Sequence, residues 1–174
     1  MSSEIISNAG GLDSCVFENK TPATLKRGPW KDDTSFVSAL KHSWQTQYAD
    51  YLGDATASAY IQILDERGDL ESHHEELTIH AHIDDQMVGI AALQPLTGLH
   101  IITMLEVLEA YRGKGIGAQL VQALCTVQTP VMAHVSIHQP RVKAFYIRQG
   151  FHVLQRETVQ HDEYPLEFDV VAKR

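Results

Sequence analysis

The segment Val107-Leu108-Glu109-Ala110-Tyr111-Arg112-Gly113-Lys114-Gly115-Ile116-Gly117-Ala118 has the composition of a seat for a phosphate group. It leads from an apolar run, Ile101 to Leu108, into apolar residues at helical spacing, Ile116, Leu120, Val121 and Leu124. The first amides of a helix have no partner within the helix. Ser, Thr, Asp or Asn ordinarily caps them, and acids gather in the first turn. Between Ala110 and Ala118 there is no such cap and no acid; the charges are Arg112 and Lys114. Three glycines let the backbone approach a ligand closely. Bare amides beside two cations suit an anion. A tight turn with glycines for geometry alone leaves the missing cap and acids unexplained.

Two other phosphate motifs fail on chemistry. A P-loop needs Gly-Lys-Ser/Thr after its first glycine, and that pattern is absent. Gly113-Lys114-Gly115-Ile116-Gly117-Ala118 matches the dinucleotide fingerprint in form, but that site needs a ribose-binding carboxylate about 20 residues on. No Asp or Glu stands between Gly117 and Arg156, and the strand that should end in the acid ends in His138.

A second segment, His138-Gln139-Pro140-Arg141-Val142-Lys143-Ala144-Phe145-Tyr146-Ile147-Arg148-Gln149-Gly150-Phe151, begins with proline in the first helical position and ends at a glycine. Taken alone, Phe145 and Tyr146 read as core aromatics. Taken with the glycine-rich turn, the pair of segments resembles the GCN5-related N-acetyltransferases (the GNAT superfamily). Arg112, Gly115 and Gly117 take the defined positions of that family's acyl-CoA motif, Q/R-x-x-G-x-G/A. The second segment is similar to the motif that usually opens with Asn and closes in Phe/Leu-Tyr-x-x-x-Gly-Phe. It departs from it in Gln139 for Asn and Val142 for Ala. The resemblance spans roughly residues 77 to 155, with only Trp44 and Tyr48 as faint echoes upstream.

The resemblance implies an acetyl-CoA-dependent N-acetyltransferase whose acceptor is a small-molecule or peptide amine. The alternative is a non-catalytic acyl-CoA-binding sensor or interaction module. It further implies that the amides of Gly113, Lys114, Gly115, Ile116 and Gly117, with Arg112, hold the pyrophosphate. The main chain of Leu105 to Val107 would pair with the pantetheine arm. The N–H of Val107, near a bulge, would polarise the thioester carbonyl, and Gln139 stands at a cofactor contact. Tyr146, a phenol of pKa ~10, is the expected general acid for the departing thiolate. Glu106, the one acid in the run Ile101 to Leu108, is the candidate base, because desolvation raises a carboxyl pKa. His100 and His138 stand at expected strand ends near the cleft. A homodimer is a further expectation from the family.

The elements that must position these groups follow from periodicity. Pro22 to Gly28 suits a short strand. Asp33 or Thr34 can cap a helix carrying Phe36, Val37, Leu40, Trp44, Tyr48 and Leu52 on one face, and a second helix is expected over Ala55 to Leu64. Leu77, Ile79, Ala81 and Ile83 alternate with polar residues, including His80 and His82. Asp84-Asp85-Gln86 turns the chain into Met87 to Leu93. Ile101 to Leu108 is a central strand, Val131 to His138 another, and Phe151 to Leu154 and Phe168 to Ala172 close the sheet. The expectation is an α/β (mixed α+β) GNAT-like fold. Its central mixed, mostly antiparallel sheet would have about six or seven strands, flanked by about four helices. Residues 1–20 form a loose N-terminal segment and 21–174 the domain.

Composition bounds the rest. The chain has 174 residues, 44% of them hydrophobic, and a formal charge of −8 from 14 basic and 22 acidic side chains. That balance opposes a nucleic-acid or anionic-membrane partner. No stretch has the roughly 20 apolar residues of a membrane span. Two cysteines, Cys15 and Cys125, and an N-terminus without a secretory pattern suggest a cytoplasmic protein. No metal is expected. His80 and His82, and His73-His74 among Glu71, Glu75 and Glu76, lack a third ligand of recognisable spacing, and the acidic stretch Asp65 to Glu76 reads as a solvated loop.

Overall fold

The computed structural model describes residues 22–28, 34–55, 57–58, 61–62, 77–161 and 164–174. In chain order come β1 (Thr24–Arg27), α1 (Thr34–Leu52), β2 (Thr78–Ile83), β3 (Gln86–Leu96), β4 (Leu99–Val107), α2 (Ile116–Leu124), β5 (Val131–Ser136), α3 (Pro140–Arg148), β6 (His152–His161) and β7 (Tyr164–Lys173). Residues 54–55, 57–58 and 61–62 are also helical, all but the first within the second helix expected over Ala55 to Leu64. The expectations for residues 1–20, for a cap at Asp33 and for the loop Asp65 to Glu76 lie outside the described residues.

The strands form one sheet in the order β1-β2-β3-β4-β5-β7-β6. Every neighbouring pair is antiparallel except β4 and β5. The mixed, mostly antiparallel GNAT-like sheet expected from sequence is the one observed. Asp84 and Asp85 turn β2 into β3 with φ of 49° and 62°, the left-handed values that a tight hairpin turn of the primed kind requires.

Each face of the sheet has its own core. On one, Phe36 and Leu40 of α1 pack against Met87, Ile90, Ala92 and Met104, with Trp44 at the margin. On the other, Ile116, Leu120, Val121 and Leu124 of α2 join Ile79, Ala91, Val135, Tyr146 and Phe151. The three or four-residue spacing that predicts the helices is the spacing that brings these side chains to the sheet.

Two expectations need correction. His80 was expected on the polar side of an alternating strand, yet it is buried and its Nε2 lies 2.6 Å from the carbonyl of Gly28. Strand β1 pairs along the edge of β2, so β2 is an inner strand, and side chains on both of its faces are buried from Thr78 to Ala81. The closing strands are also longer than their apolar cores suggest. Beyond Leu154 the sequence turns polar, and the ladder from Gln155 to His161 runs against Tyr164 to Val170. The buried Asp169 ties this ribbon to α3, accepting from Lys143 Nζ at 2.7 Å and Arg156 Nε at 3.0 Å. Those two hydrogen bonds hold its carboxyl below the usual range.

Gly89 is where β3, β4 and α2 come closest. A Cβ there would stand 3.0 Å from the Glu106 carbonyl oxygen and 3.2 Å from Leu120 Cδ1. One neighbour is backbone and the other belongs to a fully buried leucine. Gly89→Ala is therefore expected to destabilise the protein by about 1–3 kcal/mol, read as a lower denaturation midpoint in urea. A midpoint equal to that of the unaltered protein would show that the strands can part without cost.

Candidate active site

The parallel ladder between β4 and β5 consists of His100↔Val131 and Ile101↔Met132. Past these residues β5 stays with β7 as far as Ser136, and β4 goes on to Val107 along β3. The cause lies in β4. Ala92 pairs with Met104 but Leu93 with Ile102, so Thr103 is an inserted residue. Such a bulge bends a strand and increases its twist. It lies upstream of Val107, where sequence had placed it. The bulge also inverts which peptides face which neighbour. The N–H of Leu108 donates to Val88 O at 2.9 Å, towards β3. By strand alternation, the N–H and C=O of Leu105 and Val107 face the opening on the β5 side.

After β4 a single tight turn, Glu109–Tyr111, leads to Arg112 and the glycines. Gly113 and Gly115 have φ of 74° and 79°, which bulkier residues avoid. Gly115 is the N-cap of α2, and no side chain caps it. A Cβ on Gly113 would meet nothing within 4 Å, so this side of the turn is open. Gly117 differs. A Cβ there would lie in ordinary contact, 3.5 Å from the Phe145 ring and 3.8 Å from Val107 Cγ2, so the start of α2 packs beside α3 and the end of β4.

The two cations of the turn part company. Lys114 Nζ stays there, 5.1 Å from the centre of the Tyr111 ring. Arg112 turns back. Its Nε donates to Val107 O at 2.9 Å and its Nη2 to Ser43 Oγ at 2.6 Å, and Nη2 stands 4.0 Å from Glu106 Oε2. The residue pattern assigns both cations to the diphosphate; in the structure the Arg112 guanidinium bonds Val107 and Ser43.

Glu106 faces α1. Trp44 Nε1 donates to its Oε1 at 2.8 Å, and its side chain is 21% exposed. Burial pushes its pKa up, against the Trp44 hydrogen bond and the Arg112 charge. Tyr146 comes from the opposite face, with ring centres 5.4 Å from Phe145 and 5.1 Å from Phe151. Burial, then the Glu106 charge, then Cys125 drive the phenol well above its ordinary pKa. Glu106 and Tyr146 thus belong to different faces of the sheet and still influence one another, at the level where β4 and β5 have separated.

Gln139 is the N-cap of α3, and its carbonyl accepts from the amides of Val142 and Lys143. Its side chain crosses to α1, where Nε2 donates to Gln47 Oε1 at 3.2 Å. Gln47 Nε2 donates in turn to Ser43 Oγ at 2.9 Å. Sequence reading does not single out Ser43 and Gln47. Their signal is positional, since both interrupt the apolar stripe of Leu40 and Trp44 with polar groups. His100 is corrected. It is the second residue of β4, so it lies at the opposite end from Val107, roughly 20 Å away at ~3.3 Å per residue, and its Nδ1 meets Thr129 Oγ1 at 2.5 Å. His138 follows β5 at the end of the sheet that holds Val107. Among the described residues no three His, Cys, Asp or Glu side chains are grouped as metal ligands, and no helix is long and apolar enough to cross a membrane.

Residues 74–153 match the acetyltransferase (GNAT) domain. No curated protein matches the chain. Among solved structures, a GCN5-related N-acetyltransferase from Rhodopseudomonas palustris is 21% identical, with 88% of this chain and 96% of that one covered and a TM-score of 0.65. The PaiA N-acetyltransferase from Thermoplasma acidophilum, in complex with coenzyme A, is 17% identical over 88% and 99% of the two chains, with a TM-score of 0.64. Naa50 from Arabidopsis thaliana, in complex with the bisubstrate analogue CoA-Ac-MVNAL, is 21% identical over 87% and 98%, with a TM-score of 0.55. At these identities the likeness establishes the fold.

The Glu106 environment makes a signed prediction. A carboxyl whose pKa is raised by folding contributes most to stability below its unfolded value, ~4.3, and that contribution is lost as pH rises through the folded value. Trp44→Phe removes a hydrogen bond that favours the carboxylate, so the Glu106 midpoint, followed by carbon NMR of its carboxyl, should move upward from an already raised position. A midpoint at the ordinary glutamate value in the unaltered protein would contradict the burial argument.

Proposed function

With an acetyltransferase (GNAT) domain over residues 74–153 as the premise, we propose that the protein transfers the acetyl group of acetyl-CoA to a primary amine. The acceptor would be a small molecule or a peptide, in a cytoplasmic setting that the acidic composition and two cysteines suit. One observation carries this reading. The uncapped start of α2 adjoins a strand, β4, whose further edge is free of β5. An anion-binding helix start beside an unpaired strand edge fits a ligand with a diphosphate at one end and an amide-bearing arm at the other. Coenzyme A is such a ligand. The complexes of the Thermoplasma and Arabidopsis proteins support the choice.

In this reading the amides from Gly113 to Ala118, with Lys114, take the diphosphate. The C=O and N–H of Leu105 pair with the arm, and the N–H of Val107 faces the thioester oxygen. The amine nitrogen attacks the carbonyl carbon, the C–N bond forms, and the C–S bond breaks. The amine proton passes to Glu106, directly or through water, because a raised carboxyl pKa makes it a better base near neutral pH. Tyr146 faces the sulfur. Its elevated pKa keeps the phenol protonated and suits it to stabilise the thiolate by hydrogen bonding more than to surrender its proton outright.

Calorimetry with acetyl-CoA and a thiol-release assay across an amine library test this. Tyr146→Phe should lower kcat by about 100-fold or more with acetyl-CoA affinity retained. Glu106→Gln, whose amide oxygen can still accept from Trp44, should lower kcat and abolish the acidic limb of the pH–rate profile. Failure of the unaltered protein to bind acetyl-CoA would refute the proposal, and binding without turnover on any amine would reduce it to a cofactor-binding module.

A further inference from the structure

The sequence pattern assigns Arg112 to the diphosphate, but its contacts lead elsewhere. Nε and Nη2 form one of the edges by which a guanidinium grips two oxygens at once. Here those two nitrogens reach Val107 O and Ser43 Oγ. The serine is buried and accepts from both Gln47 and Arg112, which fills the two lone pairs of its hydroxyl. Gln47 continues to Gln139 at the start of α3. Three consecutive hydrogen bonds therefore join Arg112 to α1 and α1 to α3, above the level where β4 and β5 part.

We infer that Arg112, seated by Ser43, is a positioning residue. It completes the hydrogen bonding of the Val107 carbonyl at the edge of the opening and holds a positive charge beside Glu106, and it leaves the diphosphate to the bare amides and Lys114. The inference rests on the proposed acetyl-CoA site but assigns the arginine a task the motif does not. Its logic is geometric. The Val107 carbonyl faces the same opening as its N–H. Its peptide is held on the other side by the Leu108 N–H, which donates to Val88 O at 2.9 Å, but without a β5 partner the carbonyl oxygen would lack a protein donor. The guanidinium supplies the missing partner. The same cation stands 4.0 Å from Glu106. Among the described residues, the groups set against Glu106 are Trp44 from α1, Arg112 from the turn and Tyr146 from α3.

Three variants test the inference through two readouts, acetyl-CoA affinity by calorimetry and the Glu106 midpoint by carbon NMR. Arg112→Met should leave affinity within about threefold, lower kcat at least tenfold, and raise the Glu106 midpoint, because a cation that favours the carboxylate is gone. Lys114→Met, by contrast, should weaken acetyl-CoA binding. Ser43→Ala keeps every charge. It should lower kcat while affinity and the midpoint hold, and it serves if the arginine variant does not fold. Affinity lost tenfold or more in Arg112→Met, a Glu106 midpoint that does not move there, or an unchanged kcat in Ser43→Ala overturns the inference. The midpoint is read without cofactor, so a protein that takes up no acetyl-CoA would defeat the proposed function while the coupling of Arg112 to Glu106 could still be measured.

Discussion

Backbone amides and carbonyls inside a protein need partners, and the separation of β4 from β5 leaves several without a neighbouring strand. Two residue pairs hold the strands together before the inserted Thr103 sends β4 on a different course. From there β3 satisfies one edge of β4, and the other looks into the opening. Arg112 supplies the Val107 carbonyl with one partner from the protein itself. The remaining groups of Leu105 and Val107 define what an incoming ligand must offer, which is an extended chain with its own amides. In the proposed function that ligand is the arm of coenzyme A.

The opening works as a site because the elements around it are rigid. Helix α2 is anchored by four buried aliphatic side chains, so its bare start has a fixed position. At Gly117 that start packs beside Phe145 and the end of β4. Helix α3 is held at its other side by Lys143, bound to the buried Asp169, which Arg156 also holds. A charge-assisted anchor one turn from Tyr146 restricts where the phenol can go. The polar residues of α1 close the remaining side through Ser43, Trp44 and Gln47.

Electrostatics in the opening favour neutral groups. Burial raises both Glu106 and Tyr146, and the Glu106 charge raises Tyr146 further. Trp44 and Arg112 oppose the shift at Glu106. Such a balance can place a carboxyl nearer neutrality than an exposed glutamate, as acid–base chemistry at physiological pH demands. The same burial lowers stability whenever Glu106 is ionised, a cost that a purely structural residue would have no reason to keep.

Much of this was legible in the residues. The apolar periods placed α1, α2, β2, β3 and β4, and the Asp84-Asp85 turn, because local side-chain pattern and backbone preference act over a few neighbours. The glycine-rich turn was legible for the same reason, since a helix start without cap or acid is a local anomaly. The long polar ribbon of β6 and β7 was not, because its ladder depends on a partner strand and on Asp169 rather than on alternation. Nor was the fate of Arg112. Its charge was evident, but its hydrogen bonds to the Val107 carbonyl and to Ser43, a residue far away in the chain, were not. His100 looked close to the site only because strand direction was unknown. Composition and short-range spacing determined which chemistry was available; the bulge at Thr103, strand order and the packing of α1 decided which groups meet, because contacts between distant segments are set by burial and chain geometry that no local pattern contains.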